Sequence, residues 1–226
     1  MEVTSEEISG RHVQVYKTTE KEAPVIYTVD YMENGKSLIE ACKSLGLAPF
    51  QLVTISGIRW DEDLSPWVSD PVVTREDHFT GEADLFLRSL TEEILPYAEG
   101  FIGKSAVRRY LAGYSMAGLF AVYAAYNTDV FSRYSSASGS LWYPGLMEYT
   151  EANTLPDSAE SFYFSIGDRE SAVANKALRT TRDNTERLSK LLSERGVQSV
   201  FELNPGNHYR DAALRMAKGI KWTLER

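Results

Sequence analysis

The fold is indicated by one stretch, Arg109-Tyr-Leu-Ala-Gly-Tyr-Ser-Met-Ala-Gly-Leu-Phe-Ala-Val-Tyr123. In it an apolar run meets Ser115 and passes at once into a helix-forming segment. Small residues stand two positions before and two positions after the serine, as Gly113 and Ala117. A sharp turn from a strand into a helix needs small residues there, because larger side chains would collide. The stretch therefore predicts a strand, a serine exposed in a tight turn, and a helix. In that turn the N–H of Met116, at the helix start, can face a negatively charged oxygen.

The rest of the chain alternates between short apolar, β-branched or aromatic runs and longer amphipathic stretches. This alternation is typical of an α/β fold with a mostly parallel central sheet and helices on both faces. No linker separates two halves, so we expect one domain over residues 1–226. Strands are predicted near 13–16, 25–29, 52–56, 109–112, 134–138, 162–166 and 200–203. Helices are predicted at 85–97, 181–195 and 211–224, and long loops at 65–81 and 143–160.

The composition excludes several classes of function. The chain of 226 residues has a net charge of -8 and no basic run, so nucleic acid is not an expected partner. Its apolar runs are far shorter than the roughly 20 residues that a membrane helix requires, and its acidic start is unlike a signal peptide. We therefore expect a cytoplasmic protein that does not bind membranes. One cysteine and three histidines form no metal-binding pattern, so neither a metal nor a cofactor is expected. The oligomeric state stays open.

The interpretation of Ser115 as a nucleophile depends on partners elsewhere, because in a chain with 15 glycines the short pattern also fits an ordinary helix start. His208 follows the last predicted strand, in a turn that contains Pro205 and Gly206. An imidazole there can take the proton of a serine and return it to a leaving alkoxide. The preceding strand ends in two carboxylates, Asp168 and Glu170, and either one could orient the imidazole. The other is expected to be a solvated cap.

The order of serine, acid and histidine, each after a strand, resembles that of the α/β-hydrolases. The chain is similar to their esterase branch, which includes enterochelin esterase-like, esterase D-like and feruloyl esterase-like enzymes. Ala117 departs from the usual second glycine of the nucleophile turn, and Gly118 follows it. The resemblance spans most of the chain and rests on Val25-Ile-Tyr-Thr-Val-Asp-Tyr31, Arg59 with Asp63-Leu-Ser-Pro66, Gly113-Tyr-Ser-Met-Ala-Gly118, Ser136-Ala-Ser-Gly-Ser-Leu-Trp142 and Gly206-Asn-His208.

The resemblance implies roles for individual residues. It favours Glu170 over Asp168 as the acid, because related esterases tend to place it about three residues after the glycine that ends this strand. It also implies an oxyanion hole formed by the N–H of Met116 and a second backbone N–H after the 25–29 strand. We assign that second donor to Tyr31, although the branch often has glycine there.

Two further residues are candidates for substrate binding. Arg59 either binds an acidic group of the substrate or pairs with one of the carboxylates at positions 61–63. Trp142 belongs to a segment that should border the carboxyl edge of the sheet, where α/β folds bind ligands. Its ring either lines a pocket or packs the loop down. The three adjacent carboxylates lack the alternating pattern of a calcium loop and are read as a solvated segment.

Together these features predict a serine esterase that needs no cofactor and acts on a small-molecule ester. Ser115 would attack the carbonyl carbon, and His208 would act first as a base and then as an acid. The same three residues also suit an acyltransferase or an amidase. A non-catalytic binding module on a hydrolase scaffold is the alternative from another class.

Overall fold

The computed structural model describes residues 1–20, 22–31, 35–103 and 108–226. Its strands form one sheet in the order β1-β2-β4-β3-β5-β6-β7-β8. The first two pairings, β1 with β2 and β2 with β4, are antiparallel, and the others are parallel. The strands are β1 (Glu2–Ile8), β2 (Arg11–Lys17), β3 (Val25–Val29), β4 (Gln51–Ser56), β5 (Arg109–Tyr114), β6 (Arg133–Ala137), β7 (Ser161–Gly167) and β8 (Gln198–Asn204).

Helices cover both faces of this sheet. One face carries α1 and α9, which contact each other, and the other carries α5 and α8. The α/β fold with a mostly parallel sheet is therefore confirmed. The helical elements are α1 (Gly35–Ser44), α2 (Trp60–Asp63), α3 (Ala83–Ser89), a π-helical segment (Leu90–Ile94), α4 (Leu95–Ile102), α5 (Met116–Asn127), α6 (Leu146–Ala152), α7 (Lys176–Arg179), α8 (Thr181–Glu194) and α9 (Ala212–Leu224).

The period of two along the strands explains why both faces are covered. In β3, Val25, Tyr27 and Val29 pack into one hydrophobic cluster, while Ile26 packs into the other. Successive side chains of a strand point to opposite faces, so a strand that is apolar throughout must be buried on both. None of the helices in the described parts of the chain is long and apolar enough to cross a membrane.

Two elements differ from the sequence-based expectations. The strand β1 was not predicted, because its sequence Glu-Val-Thr-Ser-Glu-Glu-Ile is polar and lies exposed at the edge of the sheet. The predicted loop at 143–160 was wrong in part, since it contains α6. That helix is short but buries Leu146, Met147 and Thr150 on one side, a pattern that the prolines at either end of the segment obscured.

Candidate active site

The strand-to-helix turn at Ser115 has the strained backbone that the small residues on both sides of it predict. Ser115 lies between β5 and α5 with φ 57° and ψ -123°, a conformation that L residues rarely adopt. A Cβ atom added to Gly113 would lie 2.0 Å from the carbonyl oxygen of Ala117, so only glycine fits at that position. One added to Gly118 would lie 2.8 Å from the Cα of Gly139. The turn is therefore packed against its own helix and against the loop after β6.

His208 and Glu170 reach the serine from the ends of β8 and β7, which lie beyond β6 in the sheet. The Nε2 atom of His208 lies 3.1 Å from Ser115 Oγ, and its Nδ1 atom lies 2.7 Å from Glu170 Oε2. Asp168 points elsewhere, because its Oδ1 accepts a hydrogen bond of 2.7 Å from the Gly206 N–H. Of the two carboxylates, the structure thus brings Glu170 to the imidazole, while Asp168 closes the turn before His208.

Glu170 is buried, and both of its oxygens accept hydrogen bonds. Its Oε1 accepts 2.7 Å hydrogen bonds from the Gly167 N–H, from Ser138 Oγ and from Arg215 Nη1. Burial alone would raise the pKa of Glu170, but the hydrogen bonds from His208, Ser138 and Gly167 outweigh it, and the pKa lies below its usual value. The carboxylate is therefore charged and ready to stabilise a positive imidazole.

Arg215 of α9 is part of this site, although the sequence analysis did not single it out. Its side chain is only 2% exposed and pairs with Glu170. Its Nη2 atom donates hydrogen bonds of 3.1 Å to Pro205 O and 2.9 Å to Asn207 O, in the turn that carries His208. One buried guanidinium thus joins the acid to the turn of the base. No signal in the sequence indicated this role, because Arg215 and Glu170 lie on separate elements, 45 residues apart.

Ser138 and Tyr114 complete the network and were also missed. Ser138 adopts a left-handed backbone conformation with φ 46°, which directs its hydroxyl to Glu170. The hydroxyl of Tyr114 donates a 2.6 Å hydrogen bond to His208 O, and the two rings lie 5.4 Å apart. Tyr114 is the last residue of β5, and Ser138 directly follows β6. Their side-chain partners come from distant parts of the chain, so a single sequence does not show them.

Two cavities meet at Ser115 and His208. The larger has a volume of about 600 Å³ and is lined by Tyr31, Trp60 and Met216 among others, with Ser115 at its end. The smaller, of about 320 Å³, is lined by Met116, Ser140 and Trp142 among others. Ser140 Oγ lies 3.4 Å from Ser115 Oγ in this smaller cavity. An ester bound at the serine therefore has room on both sides of its carbonyl group.

The predicted oxyanion donors lie on the two sides of the serine. Met116 is the first residue of α5, where an N–H has no partner within the helix. Tyr31 follows β3 and lines the larger cavity with a side chain that is 69% exposed. The assignment of these two backbone amides remains a prediction.

The assignment of Arg59 to substrate binding needs correction. Its guanidinium donates hydrogen bonds to Glu62, to Asp63 at 2.6 Å and to Glu82. Arg59 lines neither of the two cavities. The structure matches the other interpretation, in which Arg59 pairs with nearby carboxylates. The physical reason is that Arg59 directly precedes α2, at its N-cap, so the residues three and four positions later lie on the same side of this turn. Trp142, in contrast, does line the smaller cavity.

No group of three or more His, Cys, Asp or Glu side chains within the described residues is placed to hold a metal ion. The groups that surround Ser115 are thus an imidazole, a carboxylate, hydroxyls and aromatic rings. This set suits proton transfer and nucleophilic attack by a serine.

Comparisons with known proteins identify the family and the fold. A family model described as "Putative esterase" matches residues 6–212. No curated protein matches the chain by sequence. Solved structures with similar folds include a siderophore hydrolase, EstA, from Aspergillus nidulans, with 22% identity, a TM-score of 0.79 and coverage of 99% of this chain and 94% of that chain.

Two bacterial structures are similar to a comparable degree. An IroE-like serine hydrolase from Shewanella oneidensis has 18% identity and a TM-score of 0.81, over 99% of this chain and 80% of that chain. The enterobactin esterase FES from Shigella flexneri has 19% identity and a TM-score of 0.72, over 99% of this chain and 59% of that chain. At these identities the structures show a shared fold.

Proposed function

The chain belongs to the esterase family whose model matches it, and on this premise we propose that it is a serine esterase with Ser115 as its nucleophile. Family membership places it among enzymes that hydrolyse esters. The finer proposal concerns the mechanism and the residues that carry it out. The observation that supports it most is the position of His208, whose two ring nitrogens lie within hydrogen-bonding distance of Ser115 Oγ and Glu170 Oε2.

Acylation begins when Ser115 Oγ attacks the carbonyl carbon of the ester and His208 Nε2 takes the hydroxyl proton. The carbonyl π electrons move to oxygen, and the N–H of Met116, with a second amide assigned to Tyr31, stabilises the oxyanion. When the tetrahedral intermediate collapses, the C–O bond to the alcohol breaks and His208 protonates the departing oxygen. Glu170 stabilises the positive imidazole throughout by its hydrogen bond to Nδ1.

Deacylation repeats these steps with water. His208 takes a proton from a water molecule, the resulting hydroxide attacks the acyl carbon, and the bond to Ser115 Oγ breaks as the serine regains its proton. The products are a carboxylic acid and an alcohol. An alcohol in place of water would give acyl transfer, and hydrolysis is the reaction that requires no second substrate.

Labelling with a fluorophosphonate tests this proposal, because the reagent reacts only with an activated serine. We expect the wild-type protein to be labelled at Ser115, as read from the modified peptide by mass spectrometry. Ser115→Ala should abolish labelling, and His208→Ala should slow it at least about a hundredfold. Ser140→Ala is the matched control, because its hydroxyl lies beside the nucleophile but does not contact His208. A wild-type protein that resists the reagent would favour a binding module instead.

A further inference from the structure

The larger cavity has an unusual balance of charge and aromatic surface. Four aromatic side chains line it, together with two aspartates, and none of its described lining residues is Lys or Arg. The aromatic residues are Tyr31, Trp60, Tyr114 and Tyr209, and the aspartates are Asp30 and Asp61.

The arginines that contact the carboxylates next to Asp61 in sequence are engaged there. Arg59 is held by Glu62, Asp63 and Glu82, and Arg11 donates a 3.1 Å hydrogen bond to Asp63. Asp61 forms no ion pair with any described residue, although it stands between these paired carboxylates in sequence. Its negative charge therefore faces the cavity without a partner of opposite charge in the described structure.

Asp61 is partly buried and lies in the walls of both cavities. The groups around it are the backbone N–H of His78, which donates to it, the His78 ring, and the carboxylates of Asp77 and Glu62. Burial is the main cause that raises the pKa of Asp61, and the two neighbouring carboxylates add to it. A carboxylate in this position gains stability from a cation beside it.

The rings of Tyr31 and Trp60 line the same cavity as Asp61 and meet edge to face. Their centroids are 5.1 Å apart, and their planes meet at 69°. A positive group near the face of a tryptophan or tyrosine is attracted by the electrons of the ring, most strongly when it is shielded from water. Two rings at a steep angle and an adjacent carboxylate thus offer three favourable contacts to one alkylammonium group.

We propose that the larger cavity binds a positively charged alkylammonium group of the ester substrate, between the rings of Tyr31 and Trp60 and the carboxylate of Asp61. This inference rests on the proposed esterase function and names the chemical class of its substrate. The substrate charge is therefore positive, opposite to the negative charge that binding by Arg59 would require. Esters that carry a carboxylate at the same distance from the carbonyl group are disfavoured by Asp61.

Matched esters test the charge preference directly. Each series contains an ester with a trimethylammonium group, one with a tert-butyl group of similar shape, and one with a carboxylate. One series carries these groups on the alcohol and the other on the acyl chain, because the substrate can place either end in the larger cavity. In one series we expect kcat/KM for the cation to exceed that for the neutral ester by about tenfold at low salt. The proposal would be overturned if kcat/KM for the neutral or the anionic ester exceeded that for the cationic ester in both series.

Substitution of Asp61 locates the preference. Asp61→Asn should reduce the cation-to-neutral ratio of kcat/KM to within about twofold of unity. Asp70→Asn is the matched control, since it changes the net charge equally but Asp70 is exposed and lines neither cavity. We expect that control to keep the wild-type ratio. An unchanged ratio in Asp61→Asn would show that the cation binds elsewhere and would refute the site.

Binding to the inactive Ser115→Ala protein separates this inference from the proposed function. Phenyltrimethylammonium should bind at least about tenfold more tightly than benzoate by calorimetry, and Asp61→Asn in the same background should remove the difference. If wild-type protein turns over neutral aryl esters but shows no such preference, the esterase proposal stands and the inference fails. If the wild-type protein turns over no ester and yet binds the cation at this site, the esterase proposal fails and the cation site stands.

Discussion

The two sides of the active site are built differently. On the side of β6, β7, β8 and α9, the acid and the arginine behind it are almost fully buried, with Glu170 5% and Arg215 2% exposed, and each makes several hydrogen bonds. On the side of the loops after β3 and β4, Tyr31 is 69% exposed and Trp60 is only partly buried. We call these the catalytic side and the recognition side.

The difference follows from what each side does in the proposed reaction. A buried charge is costly unless it is paired and its remaining atoms are hydrogen-bonded, so the catalytic side is fixed by many mutual contacts. Substrate groups must enter and leave the recognition side, so its residues keep fewer contacts with the protein. Substitutions of the buried Glu170 and Arg215 should therefore affect rate and stability together, and substitutions on the recognition side should affect selectivity alone.

The largest effect is expected from loss of the nucleophile or the base. Ser115→Ala and His208→Ala should each lower kcat for an aryl ester by roughly 10³ to 10⁶ fold, because such residues act as a unit. Melting temperature and circular dichroism should stay close to wild type, since neither side chain is part of the hydrophobic core. Near-normal turnover by either variant would contradict the mechanism.

The next effect separates the two carboxylates at the end of β7. Glu170→Gln keeps the shape of the side chain but favours the wrong tautomer of His208, and it should lower kcat by about 10² to 10⁴ fold. Asp168→Asn should cost less than about tenfold, because Asp168 contacts the Gly206 N–H and not the imidazole. Steady-state kinetics of the two variants settle the ranking, and the opposite ranking would transfer the role to Asp168.

Arg215→Met should impair both stability and rate, because it leaves Glu170 without its buried partner. We expect a loss of about 3 to 5 kcal/mol in the free energy of unfolding, measured with urea. The acidic limb of the kcat/KM profile should also move to higher pH, since removal of a nearby positive charge makes the imidazole easier to protonate.

Arg133→Met is the control for that arginine. Arg133 is also buried and pairs with Glu160. It is the first residue of β6, so it lies far from the carboxyl edge of the sheet. Its substitution should destabilise the protein and leave the pH profile unchanged. Equal pH profiles for the Arg215→Met variant and the wild type would reduce Arg215 to a purely structural residue.

Acid should weaken the catalytic side through Glu170. Its pKa is lowered in the folded protein, so its stabilising effect is fully present above the unfolded value, about 4.3 for glutamate, and is lost as pH falls through the folded value. The stability difference between wild type and Glu170→Gln should therefore be larger at pH 7 than at pH 3. Urea titrations at the two pH values measure it, and a constant difference would contradict the lowered pKa.

The smallest effects belong to the recognition side. Tyr31→Ala should change the free energy of unfolding by less than about 0.5 kcal/mol, as is usual for exposed side chains. Turnover of a neutral aryl ester should fall less than about tenfold, because the proposed oxyanion contact uses the backbone N–H, which alanine retains. A loss of a hundredfold or more would mean that this side also positions the reacting atoms.

The sequence by itself determined the central part of the fold and the candidate site. Buried strands such as 25–29 are apolar throughout, and the turn at Ser115 needs small neighbours, so local patterns suffice for both. The order of serine, acid and histidine, together with the family resemblance, pointed to Ser115, Glu170 and His208. The structure then placed their side chains at hydrogen-bonding distances from one another.

Only the tertiary structure decided which charges pair and which remain exposed to the cavities. Arg59 was compatible with two roles until Glu82, 23 residues away, was seen beside it. Arg215 lies 45 residues after Glu170, and nothing near either residue in sequence predicts their contact. Such pairs are formed by the packing of separate elements, and their energies depend on burial that only the folded chain creates. Local sequence patterns show neither the contact of Arg59 with Glu82 nor that of Arg215 with Glu170.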